Sequence, residues 1–350
     1  MARVAILGAG VMGSAMAAPA GALGHDIDLV GTHLDESIVR SVAGNRWHPR
    51  LGLTLSAKTR AYDWTRFAEV MAKAPDILVL GVSSAGVGWA IDRLVESMRA
   101  PVPIFMITKG LHANGETIEA LPAVVARELE ARLGFAPPVF AVGGPCIAGE
   151  LAAGRPTRVV VTGATAQAAR SAASLFGAPF YHAAVSPDMI GVEVCAAFKN
   201  FYALAVGAAA GRLETEGRAA NGAAMHNVAA GLFAQAIAEM ATLVAALGGD
   251  PGTAAGLAGA GDLYVTCQAG RNSRMGRLLG LGRSYSDAKA SDMPDDTVEG
   301  AELARALGDT LERMVATGRL PGERLPLMAA VLDAINRDRP LNLDFARYQA

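Results

Sequence analysis

The first half of the chain alternates short, almost wholly apolar runs with stretches of helical periodicity. Runs rich in Val, Ile and Leu are typical of strands buried on both faces, and their alternation with helices indicates a parallel sheet. The predicted strands are residues 3–7, 25–31, 76–82, 103–108, 139–143 and 158–162.

The pattern changes from about Ser186. Apolar residues then recur with helical spacing, and no later run predicts a core strand. The predicted helices are residues 191–211, 221–247, 303–317 and 327–336. We therefore predict two domains, an α/β domain of residues 1–190 and an all-α domain of residues 191–350.

A glycine-rich turn follows the first predicted strand directly. Gly8, Gly10 and Gly13 have the spacing G-x-G-x-x-G, and a helical run at residues 14–23 comes next. Gly8 would allow the tight turn, Gly10 the approach of a pyrophosphate to the backbone, and Gly13 close packing of helix on strand. The alternative is a tight turn without a ligand. The strand–turn–helix order favours a dinucleotide site, and hence a Rossmann-type doubly wound parallel sheet.

The end of the second predicted strand bears on the choice of dinucleotide. An NAD enzyme usually presents a carboxylate there to the ribose hydroxyls. This strand instead ends in Gly31-Thr32-His33, and Asp35 lies two residues beyond. The missing acid favours NADP slightly over NAD, although no arginine stands at the tip to bind a 2′-phosphate.

Composition excludes several classes of partner. A net charge of −2 on 350 residues gives no electrostatic reason to bind nucleic acid or an anionic membrane. Residues 4–20 imitate a secretory signal, but their regular glycines are better explained by the turn. Residues 228–249 reach transmembrane length yet carry Gln235 and Glu239, which favours a buried helix. We expect no stable membrane insertion.

The cysteines indicate a reducing compartment. There are three, which is an odd number, and their wide spacing matches neither a metal site nor a disulfide framework. We expect no metal, reduced thiols and a cytoplasmic protein.

Lys109 follows the fourth predicted strand, within Thr108-Lys109-Gly110. Ligands of open α/β sheets collect outside the carboxyl ends of the strands, so this lysine stands where a substrate or cofactor phosphate would bind. A solvated lysine in a turn is the alternative.

A second lysine, Lys199, lies beside Asn200 in an apolar helical segment. Only five of the 31 basic residues are lysines, so a lysine retained here indicates a need for an ammonium that can release its proton. Burial of an unpaired ammonium is costly, which also calls for a reason. The alternative is a lysine whose head group reaches the surface.

A glycine-rich segment later in the chain carries further polar residues. It leads to Asp262 and Thr266, and Gly270-Arg271-Asn272 follows soon after. A guanidinium beside an amide could bind a phosphate and hydroxyls, with Asp262 as an acceptor or as the partner of a lysine. The segment could also be only a junction between two helices.

These motifs, in this order, resemble the glycerol-3-phosphate dehydrogenases that use NAD or NADP. The resemblance runs from Arg3 to about Gly300 and rests on GAGVMG, ITKGL, GGPCIAGELAAGRPT, SPDMIGVEVCAAFKN, GLAGAGDLYVTC, GRNSRMG and VEG. It implies a nucleotide-binding domain, a helical substrate domain, catalysis in the cleft between them, a small phosphorylated substrate and a homodimer. Interconversion of glycerol 3-phosphate and dihydroxyacetone phosphate is the implied reaction.

The resemblance also implies roles for individual residues. Lys199 matches the general acid/base. The implied substrate contacts are Lys109, Gly144, Cys146, Asn200, Asp262, Thr266, Gly270, Arg271 and Asn272. The implied cofactor contacts are Gly8, Gly10, Val11, Met12, Gly13, Thr32, His33, Lys109, Ala148, Arg271, Thr297 and Glu299.

Four positions depart from the family pattern. Cys146 replaces a hydroxyl, Met12 an aromatic residue, Thr32-His33 the arginine of bacterial NADP-preferring members, and Gln235 a frequent arginine. Two other readings stay open: a dehydrogenase of this fold acting on another hydroxy compound or sugar phosphate, and a non-catalytic nucleotide-sensing protein.

Overall fold

The computed structural model describes residues 1–348 and divides the chain into two compact units. The first contains residues 1–110 and 120–189, and the second contains residues 111–119 and those from 190 onward. The second unit therefore includes a short segment from the first half of the sequence, which the periodicity did not predict.

The first unit is built on one large sheet. Eight strands form it in the order β12-β11-β10-β7-β6-β1-β2-β5, and the other four form the two-stranded pairs β3-β4 and β8-β9. The strands are β1 (Arg3–Leu7), β2 (Asp26–Val30), β3 (Trp47–His48), β4 (Leu53–Thr54), β5 (Thr59–Tyr62), β6 (Ile77–Leu80), β7 (Ile104–Met106), β8 (Leu111–Ala113), β9 (Ile118–Ala120), β10 (Val139–Gly143), β11 (Thr157–Thr162) and β12 (Tyr181–Ser186). From β5 to β10 the order is that of the doubly wound dinucleotide-binding fold, so the predicted fold class is confirmed.

Part of the strand prediction was wrong. β11 runs antiparallel to β10, although its apolar sequence predicted a parallel strand. A parallel connection usually needs a crossover helix of a full βαβ unit, whereas residues 144–156 contain only a helix of five residues. Strands β5 and β12 were not predicted, because neither is a continuous apolar run.

Helices cover both faces of this sheet. Alternate residues of β1 enter two different cores, since Val4 and Ile6 pack on one side and Ala5 and Leu7 on the other. The helices of this unit are α1 (Val11–Ala15), α2 (Ala17–Ala22), α3 (Glu36–Asn45), α4 (Phe67–Met71), α5 (Val87–Ser97), α6 (Leu121–Leu133), α7 (Ala148–Ala152) and α8 (Ala166–Ser174).

The second unit is helical apart from the short strands β8 and β9. Its helices are α9 (Met189–Glu216), α10 (His226–Ala246), α11 (Asp262–Gln268), α12 (Arg271–Gly280), α13 (Tyr285–Ser291), α14 (Glu299–Ala316) and α15 (Pro326–Asn336). Two of them, α9 and α10, are long and apolar enough to cross a membrane by length and composition alone. In α9, 78% of the apolar stretch is buried within the fold, as expected of a core helix, against 44% in α10.

Glycines bring α9 and α12 into backbone contact. A Cβ at Gly207 would lie 2.6 Å from the carbonyl oxygen of Ser273, and one at Gly211 would lie 2.7 Å from the carbonyl carbon of Gly280. From the other helix, a Cβ at Gly276 would overlap the backbone of Leu204. The absence of these side chains lets the two helices approach closely, which places Asn200 near the first turn of α12.

Candidate active site

Lys199 and Asp262 form an ion pair in the second unit. The lysine side chain is 13% exposed and the aspartate side chain 2% exposed, so both charges are largely withdrawn from water. A buried ammonium requires such a partner. Lys199 is thus largely buried and paired in the structure, and its role as an acid/base stays a prediction.

The position of Asp262 depends on an unusual turn. A single π-helical turn, Leu257–Gly261, precedes α11 and makes Asp262 the first residue of that helix. A Cβ at Gly259 would lie 2.6 Å from the Cα of Ala254, so the turn requires glycine there. The Thr266 hydroxyl donates to the carbonyl oxygen of Asp262 at 2.7 Å, which ties down the same turn. Turns of this kind recur at functional sites.

Asn272 connects three helices around the lysine. Its side-chain amide donates to Asn200 Oδ1 at 3.1 Å and to Glu299 Oε2 at 3.3 Å, and its Oδ1 accepts from the Gly300 amide at 2.9 Å. The side chain is 5% exposed. Both ends of this amide thus have protein partners, and the substrate contact indicated by the sequence stays a prediction.

Arg271 forms an ion pair with Glu299 at the surface of the same cluster. These residues begin α12 and α14 respectively, and both side chains are partly exposed. Gly270 precedes the arginine with a φ of 125°, a conformation that favours glycine. Thr297 lies two residues before Glu299. The guanidinium is therefore accessible to an anion that can replace the carboxylate.

In the first unit, the glycine turn has the geometry that the sequence predicted. Gly8 has a φ of 114°, and a Cβ there would lie 2.6 Å from the carbonyl oxygen of Gly81. A Cβ at Gly13 would overlap the Gly8 carbonyl oxygen, so α1 packs tightly onto the turn. Around Gly10, in contrast, no atom lies within 4 Å of a Cβ position. This open side fits a pyrophosphate near the first residues of α1, Val11 and Met12.

Asp35 forms bonds within the protein, whereas a carboxylate after the second strand usually binds the ribose hydroxyls. It is 8% exposed, and its Oδ2 accepts from the amides of Ala9 and Thr32 at 3.2 and 2.9 Å. The Thr32 hydroxyl donates to the same oxygen at 2.8 Å. The acid thus holds the glycine turn. The proton of the Thr32 hydroxyl is used in this bond, which leaves Thr32 a weaker donor to a ligand than the sequence suggested.

A cleft of about 490 Å³ opens beside this turn. Thr32 and His33 line it, as do Arg50 and Trp89, which sequence reasoning missed. The His33 ring contacts Trp89 edge to face, with ring centroids 5.9 Å apart. An arginine is thus present in the cleft, although none stands at the strand tip. The sequence did not predict this position for Arg50, because the residue lies after α3 in an irregular stretch.

His48 anchors the segment that carries Arg50. Its ring is fully buried, Nε2 lies 3.1 Å from the Ala9 carbonyl oxygen, and Nδ1 accepts from the Leu51 amide at 3.1 Å. With Nδ1 accepting, Nε2 carries the proton and donates it to the glycine turn. The Arg50 segment and the turn are therefore held together by one side chain.

The predicted residues after β7 and β10 also come together. Lys109 Nζ lies 3.5 Å from the Gly144 carbonyl oxygen, and both residues line a small cavity with Met12 and Cys146. Gly144 has a φ of 99°, and Ala148 begins α7. The carboxyl ends of neighbouring strands account for this cluster, as predicted.

Comparison with known proteins agrees with this geometry. Two family models match, described as NAD-dependent glycerol-3-phosphate dehydrogenase N-terminus over residues 3–169 and C-terminus over residues 188–343. An NADP(+)-dependent glycerol-3-phosphate dehydrogenase from Archaeoglobus fulgidus is 35% identical over 81% of this chain and 82% of its own. A glycerol-3-phosphate dehydrogenase [NAD(P)+] from Desulfitobacterium hafniense is 35% identical over 81% of this chain and 75% of its own.

A solved structure extends the similarity over nearly the whole chain. The crystal structure of glycerol-3-phosphate dehydrogenase from Coxiella burnetii superposes with a TM-score of 0.78 and 25% identity, covering 97% of this chain and 96% of that one. The sequence motifs and the order of the strands in the large sheet agree with these matches. The chain belongs to the NAD-dependent glycerol-3-phosphate dehydrogenase family.

Proposed function

We propose that this protein interconverts sn-glycerol 3-phosphate and dihydroxyacetone phosphate by hydride transfer with NADP or NAD. The observation that carries this proposal is the buried pair of Lys199 and Asp262, with Asn200 within α9 and Arg271 at the start of α12. The names of the Archaeoglobus and Desulfitobacterium relatives support glycerol 3-phosphate over the other hydroxy compounds considered above.

Lys199 is the proposed general acid/base. During alcohol oxidation its neutral amine accepts the hydroxyl proton, and during ketone reduction its ammonium donates that proton back to the oxygen. When bound, the nicotinamide cofactor takes up or supplies the hydride. Asp262 holds and aims the lysine head group, and Asn200, held by Asn272, is placed to orient the substrate hydroxyl.

The remaining substrate contacts are proposed from their chemistry. Arg271 offers a planar fork for the phosphate, which has to replace Glu299 on the guanidinium. Lys109 adds a second cation from its own cluster with Gly144 and Cys146. Thr266 and Gly270 shape the turns on which Asp262 and Arg271 stand.

For the cofactor, we propose that NADP works better than NAD. The glycine turn binds the pyrophosphate, with Gly8, Gly10, Val11, Met12 and Gly13 around it, while Ala148, Thr297 and Glu299 serve nearer the nicotinamide. Arg50 supports the preference, because a guanidinium in the cleft of Thr32 and His33 can pair with a 2′-phosphate. The carboxylate that would repel such a phosphate, Asp35, is occupied by the turn.

Three broader statements complete the proposal. The first unit supplies most of the proposed nucleotide contacts, and the second supplies most of the proposed substrate contacts. The protein works in the cytoplasm and supplies glycerol phosphate for phospholipid biosynthesis. It forms a homodimer, which the incomplete burial of apolar α10 within one chain supports. Light scattering on the purified protein measures the last of these directly.

The central experiment is a turnover assay. Dihydroxyacetone phosphate is supplied with NADPH or NADH, and oxidation of the cofactor is followed by absorbance. We expect turnover with both cofactors, and no comparable turnover with unphosphorylated dihydroxyacetone. Absence of turnover with dihydroxyacetone phosphate and either cofactor would overturn the proposed function.

A further inference from the structure

The chain leaves the first unit at Gly110, directly after Lys109, and returns to it at Ala120. The intervening residues 111–119 belong to the second unit, and we call them the arm. They contain β8 and most of β9, which pair with each other. At the base, the Leu121 amide donates to the Gly110 carbonyl oxygen at 3.1 Å. Lys109 therefore stands at the root of a short arm whose tip lies in the other unit.

The arm has a defined structure of its own. Asn114 Oδ1 accepts from the amides of Glu116 and Thr117 at 3.2 and 2.9 Å and from the Thr117 hydroxyl at 3.0 Å. The Asn114 backbone amide donates to the Thr117 carbonyl oxygen at 3.1 Å. Gly115, with a φ of 94°, makes the turn between them. The carbonyl oxygens of Gly115 and Glu116, in the same turn, accept hydrogen bonds from side chains outside the arm.

Two arginines near the end of α14 donate hydrogen bonds to those carbonyl oxygens. Arg313 donates to the Gly115 carbonyl oxygen, and Arg319 Nη1 donates to that of Glu116 at 2.6 Å. Gly318, with a φ of 74°, ends the helix in a left-handed turn, and the Arg319 amide bonds back to the Met314 carbonyl oxygen at 2.8 Å. This helix end brings two arginines six residues apart to adjacent acceptors.

The root of the arm is fixed from its other side as well. The Thr108 hydroxyl donates to the carbonyl oxygens of Leu80 at 3.1 Å and Val82 at 2.7 Å, which pins the residue before Lys109 to the sheet. Helix α14 begins at Glu299, the partner of Arg271; its last turn contains Arg313, and Arg319 follows shortly after the helix ends at Ala316. One continuous helix thus connects the partner of Arg271, the residue proposed to bind the phosphate, with the arm that follows Lys109.

We propose that Arg313 and Arg319 are positioning residues that fix Lys109 for binding of the phosphorylated substrate. The inference rests on the proposed function, because it takes Lys109 as a substrate contact. The arginines act through the chain: they hold the backbone carbonyl groups of Gly115 and Glu116, six and seven residues beyond the lysine. Without the arginine bonds, the bonds of Thr108 and Gly110 are left to hold the backbone beside Lys109, and the ammonium then samples positions in which it misses the substrate.

The test is kinetic. The double variant Arg313→Ala/Arg319→Ala should raise KM for dihydroxyacetone phosphate roughly ten- to a hundred-fold, the effect expected of a misplacement of about 1 Å. We expect a much smaller change in kcat, and near-parental KM in Arg313→Lys, which can still donate one bond. The matched control is Arg337→Ala, which removes an exposed arginine paired with Glu312 and Asp333 rather than with the arm.

A double-mutant cycle separates positioning from general destabilisation. If the arginines act through Lys109, the double variant should cause little further rise of KM in a Lys109→Ala background. Asn114→Ala loosens the arm without touching α14 and should reproduce the rise, which keeps the inference testable if the arginine variant does not fold.

Parental KM in the folded arginine variant or in Asn114→Ala, or full additivity with Lys109→Ala, would overturn the inference. Failure of the parent enzyme to turn over dihydroxyacetone phosphate would instead overturn the proposed function.

Discussion

Asp262 holds the ammonium of Lys199 although 63 positions separate the two residues in sequence. Both side chains are nearly buried, so neither charge could be kept there without the other. The pair places an ammonium and its counter-charge beside Asn200, and loss of either member predicts a different defect. Removing the lysine removes the proposed proton carrier, whereas removing the aspartate leaves an uncompensated ammonium.

Lys199→Ala should therefore lower kcat by roughly 10²–10⁴-fold, the usual contribution of a positioned acid/base. Binding of NADPH, measured by fluorescence titration, should stay close to that of the parent. Lys73→Ala is the matched control, because Lys73 pairs with buried Asp28 at 3.1 Å in the first unit, outside the proposed site. Turnover of Lys199→Ala within a few-fold of the parent would remove Lys199 from its catalytic role.

Arg271→Lys should weaken binding of dihydroxyacetone phosphate much more than that of dihydroxyacetone. The charge remains, but the planar fork that fits a phosphate is lost. The measurement is KM for both compounds. Arg274→Lys serves as the control, since that exposed arginine of the same helix pairs with Asp296. An equal effect on the two compounds would show that Arg271 does not bind the phosphate.

Arg50→Ala should reduce kcat/KM for NADPH by about tenfold or more and leave that for NADH nearly unchanged, because a charge-assisted bond to the 2′-phosphate is lost. Thr32→Asp should also shift the preference toward NADH, and it should cost stability because the new carboxylate lies beside Asp35. Arg60→Ala, at an exposed position of β5, is the control. A parent that strongly prefers NADH would contradict the proposed preference.

Glu239 provides a test of stability against pH. Burial raises the pKa of its carboxyl above 4.5, opposed by hydrogen bonds from Gln235, the Leu327 and Met328 amides and Tyr202. The folded state therefore binds the proton more tightly than the unfolded state, so this group's contribution to the free energy of unfolding falls as pH rises from 4.5 through the raised pKa.

Glu239→Gln should remove that dependence and cost about 1–3 kcal/mol, because one amide oxygen cannot satisfy all four donors. Denaturant titrations at several pH values measure both effects. The advantage of the parent over the variant should shrink as pH rises through the window. Glu302→Gln, on the exposed side of α14, should leave the dependence unchanged. A constant difference between parent and Glu239→Gln would contradict the argument.

Gly276→Ala tests the close contact of α9 and α12. The added Cβ overlaps the Leu204 backbone and should cost at least about 1–3 kcal/mol of stability, with loss of activity as Asn200 shifts. Gly88→Ala is the matched control, because no atom lies within 4 Å of its Cβ position in α5. That change should stabilise the protein by about 0.4–1 kcal/mol. Equal stability of the two variants would argue against glycine-dependent packing.

The sequence by itself determined the elements and much of the chemistry. Apolar runs and helical spacing are local signals, so strands β1, β2, β6, β7 and β10 and the long helices were predictable. The glycine turn was predictable for the same reason, since Gly8 and Gly13 act on their immediate surroundings. Lys199 stood out because a lysine is costly in an apolar helix.

Only the tertiary structure decided which polar groups meet. The direction of β11, the use of Asp35 by the glycine turn and the place of Arg50 in the cleft follow from contacts that periodicity does not encode. The pairing of Lys199 with Asp262 likewise joins residues of two helices, α9 and α11, that are distant in sequence. Spacing along the chain indicates on which face of a helix or strand a side chain lies. Which residues distant in sequence it contacts depends on how the helices and strands pack together.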